Sequence, residues 1–498
     1  MLGAAACAAV LCAGSNALAN GRFPASNQIL FSPASSTAMF VRTTFGLLFS
    51  DDSGKTWRWL CEDTLGLPPT SNEDPYFAIT ANGNLVAGLS LGLELSTTSG
   101  CDWSTAGGPL AGQLIKDLDL LAGNQHTVDL ITSTYSPSGN VDGGGGYAQQ
   151  PFESTDDGAH WTAFGTAIDP TAIVTTIDVA PSDPNRIYAS AFRGSGMART
   201  ASLFVSSDKG MTWTERAAPL NPSVETAVYI GAVDPTNEDI VYLRSEGESR
   251  LSVTHDGGQT FMSVKTLDDE MLGLALSQDG SKIYIGSVAD GLLVAPTSTL
   301  SFTQTSMIHV QCLVTHGTDL WACSDEVSGF VAGVSQDDGK TFTPVLHLLG
   351  ISSVIQCPAT STATMCTTWD LEAGAFYNPF VSLCSQIGAC YSGPPTPFGN
   401  DCNCTGACNA AMTSNASDYN PSAACADGGA GSSSGSSGGG SGGGSGGDGG
   451  VETGSSNSSC GCSTIGGGRA VGAFVAGGAL ALTALVARRR RVRRRGRA

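Results

Sequence analysis

The chain has 498 residues, 14% of them charged and 41% hydrophobic, and its 44 acidic against 24 basic side chains give a formal net charge of −20. Nine of the 24 basic residues lie at or beyond Arg469 and no acid lies beyond Glu452, so the remainder sets 15 basic against 44 acidic residues. Such a body repels polyanions, which excludes nucleic acid as a partner. Gly, Ser, Thr and Pro crowded between short β-branched and aromatic runs exclude a helical fold and predict many short strands.

Residues 1–19 read as a secretory signal peptide: an apolar, alanine-rich run from Leu2 to Leu18, then Ala17-Leu18-Ala19, a small-x-small cleavage signal before Asn20. A basic n-region is absent. Cys12 suggests a lipobox, but Val10-Leu11-Cys12-Ala13 lacks the small residue before the cysteine, so a cleaved leader is the expectation.

From residue 20 to 350 one phrase recurs. Ser50–Trp57, Ser154–Trp161, Ser206–Trp213, Thr254–Phe261 and Ser335–Phe342 follow Ser/Thr-x-Asp-x-Gly-x-Thr-aromatic, His160 replacing the threonine once. Ser96–Trp103 keeps Gly100 and Trp103 but has Thr98 for the aspartate, and around Thr297–Phe302 only Ser301-Phe302 and the spacing remain. The third positions fall at 52, 98, 156, 208, 256, 297 and 337, a period that predicts stacked or radial units. The aspartate can accept from amides of its own turn, the glycine can take a positive φ, and the aromatic opens the next strand with a ring to bury.

These residues resemble the Asp-box, or BNR, repeats of sialidases, xyloglucanases, sortilin-type receptors and photosystem assembly factors. The resemblance implies an all-β propeller in which each box joins the third and fourth strands of a blade, on the rim away from the central pore. Asp52, Gly54, Trp57, Asp156, Gly158, Trp161, Asp208, Gly210, Trp213, Asp256, Gly258, Phe261, Asp337, Gly339 and Phe342 are then structural, and function has to be argued from other residues.

The strands between boxes predict seven four-stranded blades. Blade four has Ile173–Val179, a turn at Pro181–Asn185, Arg186–Ser190, Leu203–Val205 and then Trp213; the next repeats the phrase with the turn Asp234–Asn237. Such Asp-Pro turns are similar to those of xyloglucanase-like and sortilin-like propellers. Each blade has an apolar face that a neighbour must cover, and ring closure removes long open edges. An eighth unit is the alternative: Cys357 and Cys366 occupy a hairpin after Cys312 and Cys323 that would complete the ring, form a partial blade or act as a lid.

Twelve cysteines lie between the leader and the tail, an even number that in an exported chain implies disulfides. Cys61 with Cys101, Cys312 with Cys323, and Cys357 with Cys366 are the expected pairs. Residues 351–425 form a closing hairpin and a cysteine-rich segment, where Cys384, Cys390, Cys402, Cys404, Cys408 and Cys425 predict a disulfide knot over a zinc site, their connectivity open. A flexible Gly/Ser-rich linker spans 426–459. In 460–498, Cys460-Gly461-Cys462 precedes eighteen uncharged residues, Ala470–Ala487, and an arginine cluster, enough for a short transmembrane helix with a cytoplasmic C-terminus. This arrangement resembles the MYXO-CTERM sorting tag of myxobacterial surface proteins, which implies cleavage near Cys460 and display at the cell surface or outer membrane; a retained helix is the alternative.

No catalytic, cofactor-binding or metal-binding residue stands out. A sialidase-like site would need an arginine triad, a tyrosine beside a glutamate and an aspartate; Arg22-Phe23-Pro24 has the wrong order, and Arg42, Arg186, Arg193, Arg199, Arg244 and Arg250 sit in no marked pattern. A xyloglucanase-like site would need two carboxylates, for which Asp119, Asp129, Asp178 and Asp319 are the candidates, each with a solvated or turn-capping role as the simpler reading. His126, His160, His255, His309, His316 and His347 are scattered, and the Gly-rich loop Asp142–Gly146 lacks the lysine of a phosphate cradle. The expectation is a monomeric, surface-displayed propeller that binds protein or glycan on its pore face, with a glycoside hydrolase or lyase as the alternative.

Overall fold

The computed structural model describes residues 25–67, 73–137, 145–361 and Cys366. The expected leader, six-cysteine segment, linker, Cys460, Cys462 and tail helix lie outside the described residues.

Seven sheets of four consecutive antiparallel strands follow one another along the chain, the first joined by a fifth, parallel strand from the end of the described chain, and a hairpin, Thr134–Ser136 with Gly146–Ala148, is inserted in the third. They are blades 1 to 7, with first strands Ser26–Phe31, Tyr76–Ile79, Ile115–Leu120, Ile173–Val179, Ala227–Val233, Gly273–Leu276 and Cys312–His316. Each first strand packs against those of its two neighbours, and blade 7 meets blade 1, so the first strands encircle an axis. The core lies between blades: the apolar residues of one sheet interdigitate with those of the next, as Ile131 of blade 3 does with Val174, Ile177 and Ala189 of blade 4.

All seven recurring turns join the third and fourth strands of successive blades, the corner the sequence predicts. In blade 4, Asp208 Oδ1 accepts from the Thr212 amide at 2.9 Å, Oδ2 from the Thr212 hydroxyl at 2.7 Å, and the Ser206 hydroxyl accepts from the Gly210 amide at 2.8 Å. The same bonds recur around Asp52, Asp256 and Asp337. At Asp156 the imidazole of His160 takes the place of the hydroxyl, with Nδ1 2.6 Å from Oδ2. These donors hold the Asp256 and Asp337 carboxyls at about pKa 2, the Thr260 hydroxyl and the Thr341 amide being the strongest influence on each. The worn turn at Thr297 lacks the acid and instead places Leu300 at φ +51°.

The turns also clasp the ring, which the sequence did not predict. A Cβ on Gly54 would lie 2.2 Å from Val345 of blade 7, and one on Gly339 2.0 Å from Leu292 of blade 6. Gly100, Gly158 and Gly258 likewise abut Leu60, Val86 and Leu203 of the preceding blade. The Trp57 indole donates to the Gly54 carbonyl and to the Val345 carbonyl of blade 7, both at 3.0 Å. The residue before the glycine joins in: Lys209 reaches Glu153, Asp157 accepts from Asn82, and Asp338 accepts from Lys282 and Tyr284, each partner on the preceding blade.

The described chain forms seven blades and no eighth. Ile351–Val354 instead runs parallel along the outer strand of blade 1, Trp57–Leu60. This strap corrects two of the three expected disulfides. Cys61 bonds Cys366 and Cys101 bonds Cys357, whereas Cys312 and Cys323 pair as expected across their hairpin. The reason is placement: the strap leaves blade 7, lies over the outer edge of blade 1 and so carries Cys357 and Cys366 to cysteines of blades 2 and 1. Because every blade is built from consecutive strands, no strand is shared to lock the ring, and the strap bridges the junction.

Candidate functional site

In an up-and-down blade the second-to-third and fourth-to-first connections lie at one end and the motif turns at the other. First strands therefore begin, and second strands end, at the face opposite the turns. Around the axis on that face stand Arg42 of blade 1, Tyr76 of blade 2, Asp117 of blade 3, and Tyr229, Arg244 and Glu246 of blade 5. Their electrostatic reach binds them into one site: burial raises the Tyr76 phenol, Asp117 adds to the rise, and Arg42 and Arg244 oppose it.

Both guanidiniums are fixed by main chain. Arg42 Nη1 donates to the Pro75 carbonyl at 2.8 Å and Arg244 Nη1 to the Met271 carbonyl at 3.0 Å. Arg244 lies 5.0 Å over the Tyr229 ring, whose hydroxyl donates to Glu246 at 3.4 Å. Burial, then Glu246, pushes that phenol to about 12. Both phenols stay protonated at neutral pH, so the cluster offers aromatic surface, hydroxyl donors and oriented cations, a set suited to holding a ligand.

Below the mouth is a column of acids. Asp117 Oδ2 accepts from the Ile177 amide at 3.0 Å and Asp119 Oδ2 from the Val179 amide at 3.1 Å. Alternate residues of one first strand thus replace a sheet ladder to the next blade. Burial raises Asp117 to about 7 and Asp119 to about 6, opposed by those amides. Asp178 lies well above the usual carboxyl range through burial and repulsion from Asp119 and Asp117. Asp129 stands opposite Asp119 in register and next to Glu153; it is 2% exposed, its Oδ1 has no hydrogen-bond partner, and burial raises it to about 7.

Of the four carboxylates named from sequence, Asp119, Asp129 and Asp178 therefore come together and Asp319 does not, lying on blade 7 beside Gln336. Asp117 was missed, although Ile115-Lys-Asp-Leu-Asp-Leu places two acids on one side of a strand. Of the arginines named from sequence that the structure describes, Arg42 and Arg244 reach the mouth. Arg193 pairs with Asp169 and Glu215, Arg250 with Glu225, Arg199 donates to Thr226, and Arg186 pairs with Asp239 at the opposite end. Four of the histidines are separately engaged, His126, His309 and His347 on Asp157, Asp325 and Glu326, and His316 stacked on Phe31. Among the described residues no three His, Cys, Asp or Glu side chains are placed to hold a metal ion, and no helix is long and apolar enough to cross a membrane.

No protein-family model and no curated protein matches the chain. Among solved structures it is similar to an ancestral GH74 enzyme, at 12% identity and TM-score 0.48 over 69% of this chain, and it spans about half, 49%, of that enzyme's length. The extracellular domain of a one-component system protein from B. thetaiotaomicron matches at 13% identity and TM-score 0.41, over 61% of this chain and 38% of that one. YCF48 bound to D1 peptide matches at 15% identity and TM-score 0.41, over 60% and 88%. The architecture of this chain, stated from its own strand order, is a seven-bladed all-β propeller with three disulfides among the described residues.

Proposed function

We propose that the chain is an exported, surface-displayed binding module whose ligand seats over the channel mouth, on the face opposite the recurring turns. The observation that carries this function is the convergence of Tyr76, Tyr229, Arg42 and Arg244 from three blades. In the same reading the turns are Asp-box repeats, residues 1–19 a leader, and 460–498 a MYXO-CTERM-like tag that tethers the monomer at the cell surface through the Gly/Ser-rich linker. Retention of the purified full chain on a panel of immobilised polysaccharides and proteins tests it. The Tyr76→Ala, Tyr229→Ala pair is expected to lose about tenfold or more in retention, the scale of truncating two aromatic anchors. Unchanged retention sinks the proposal. The second reading, a glycoside hydrolase, is favoured by Asp117, raised to about 7 and thus acid-capable near neutrality beside the mouth; release of reducing ends abolished by Asp117→Asn would support it.

A further inference from the structure

The face around the mouth differs from the rest of the surface in two independent ways. Of ten large apolar side chains exposed among the described residues, only Met211 and Met262 lie at the end bearing the recurring turns. Besides Tyr76 and Leu91, the others are Tyr135, Met197 and Val327 on second-to-third connections and Val224, Leu272 and Met307 on fourth-to-first connections. Scattered apolar residues are ordinary on any surface, but here they recur on one face through six of the seven blades or the connections leaving them.

The charges divide the same way. Four of the six lysines lie at the other end, Lys55, Lys209 and Lys340 in the recurring turns and Lys282 opening a second strand there; Lys116, near the start of a first strand, and Lys265, near the end of an outer strand and within electrostatic reach of Asp290, are the two on this side. Its arginines, Arg42, Arg193, Arg199, Arg244 and Arg250, are all tied to groups of the chain itself. The carboxylates are different. Asp268, Asp269 and Glu270 are an exposed run ending two residues before Leu272, and Asp290 accepts from the amides of Asp268 and Asp269 at 3.0 to 3.1 Å, which holds the run in place. Glu248 is exposed where Gly247 packs on the Val224 carbonyl, whereas Asp325 and Glu326, just before Val327, are engaged by His309 and His347.

We propose that this face is a docking surface for a protein segment rich in lysine or arginine and in aliphatic side chains. The apolar side chains supply burial, the exposed carboxylates select positive charge and set the association rate, and arginines already tied to groups of the chain offer little to an anionic glycan. The inference rests on the proposed binding face and names its ligand class.

The test uses the purified full chain and a short fluorescent amphipathic peptide of lysine and leucine, with a glutamate-for-lysine and a serine-for-leucine counterpart. The lysine–leucine peptide is expected to bind, and each counterpart about tenfold or more weaker. Asp268→Asn with Glu270→Gln, or Leu272→Ser with Met307→Ser, should weaken it by about tenfold at unchanged thermal midpoint, whereas Asp51→Asn with Glu238→Gln, removing equal charge at the other end, should change it less than about twofold. Equal losses from both charge pairs would mean nonspecific attraction and overturn the docking surface. If a polysaccharide from the panel displaces the peptide through Leu272 and Met307, the face binds glycan, so this inference fails and the binding function stands. If no peptide and no panel member binds, both fail.

Discussion

A glycine in a recurring turn meets two constraints that can be separated. Gly54 has φ +83° and its missing Cβ faces Val345, whereas Gly66 has φ +73° and nothing within 4 Å. Gly66→Ala should cost only the left-handed penalty, about 1–2 kcal/mol, while Gly54→Ala adds overpacking of about 1–3 kcal/mol; denaturant midpoints of the two variants check the difference. That glycine needs a positive φ was legible in Ser-Asp-Asp-Ser-Gly-Lys-Thr-Trp. That it abuts the preceding blade was not, because the contact exists only once the ring has closed. The aspartate two residues earlier was equally legible. With its folded pKa depressed, Asp256 contributes stability that is present above its unfolded value near 3.8 and is lost as pH falls toward 2. Its carboxyl followed by NMR should titrate near 2, and Thr260→Val should move it back toward the ordinary range.

Among elements, first strands are joined by side chains reaching main chain where sheets diverge. Besides Asp117 and Asp119, the Thr176 hydroxyl accepts from the Ile230 amide at 3.0 Å and the Thr315 hydroxyl donates to the Leu276 carbonyl at 2.7 Å. The strap is the second such device. Its bonds close separations of 305 and 256 residues, against 11 for Cys312–Cys323. The chain-entropy argument gives roughly 6 kcal/mol for the first long closure and roughly 3 for the short one. Cys61→Ser with Cys366→Ser should therefore lower the unfolding free energy more than Cys312→Ser with Cys323→Ser, and peptide mapping without reductant should recover Cys61–Cys366 and Cys101–Cys357. Cys312 and Cys323 were readable because a hairpin fixes both positions locally. The other pairs were not, because the nearest partner in sequence is not the nearest once a strand crosses from blade 7 to blade 1. The candidate site was legible in part: alternation exposes Asp117 and Asp119 together, but nothing in the chain order places Tyr76 across an axis from Tyr229.

Over the whole molecule two sets of carboxyls respond oppositely to acid, the buried acids of blade 3 and the exposed aspartates of the recurring turns. Asp117, Asp119 and Asp129, at about 7, 6 and 7, hold protons between roughly pH 4 and 7 that the unfolded chain has released. Raised carboxyls contribute stability that is full below the unfolded value and falls as pH rises through the folded one; the turn aspartates lose theirs below about 4. Unfolding free energy should therefore peak near pH 4–5, and Asp129→Asn should flatten the decline toward pH 8. An optimum above pH 7 would contradict the buried acids. The division into a clasping end and a binding end is tested most directly by ligand retention on the polysaccharide and peptide panel, with the Tyr76→Ala, Tyr229→Ala pair run beside Gly258→Ala. The tyrosine pair should lose retention while the glycine variant, scored on its folded fraction, keeps it. Retention lost with Gly258→Ala and kept by the tyrosine pair would contradict the assignment of function to the face opposite the turns.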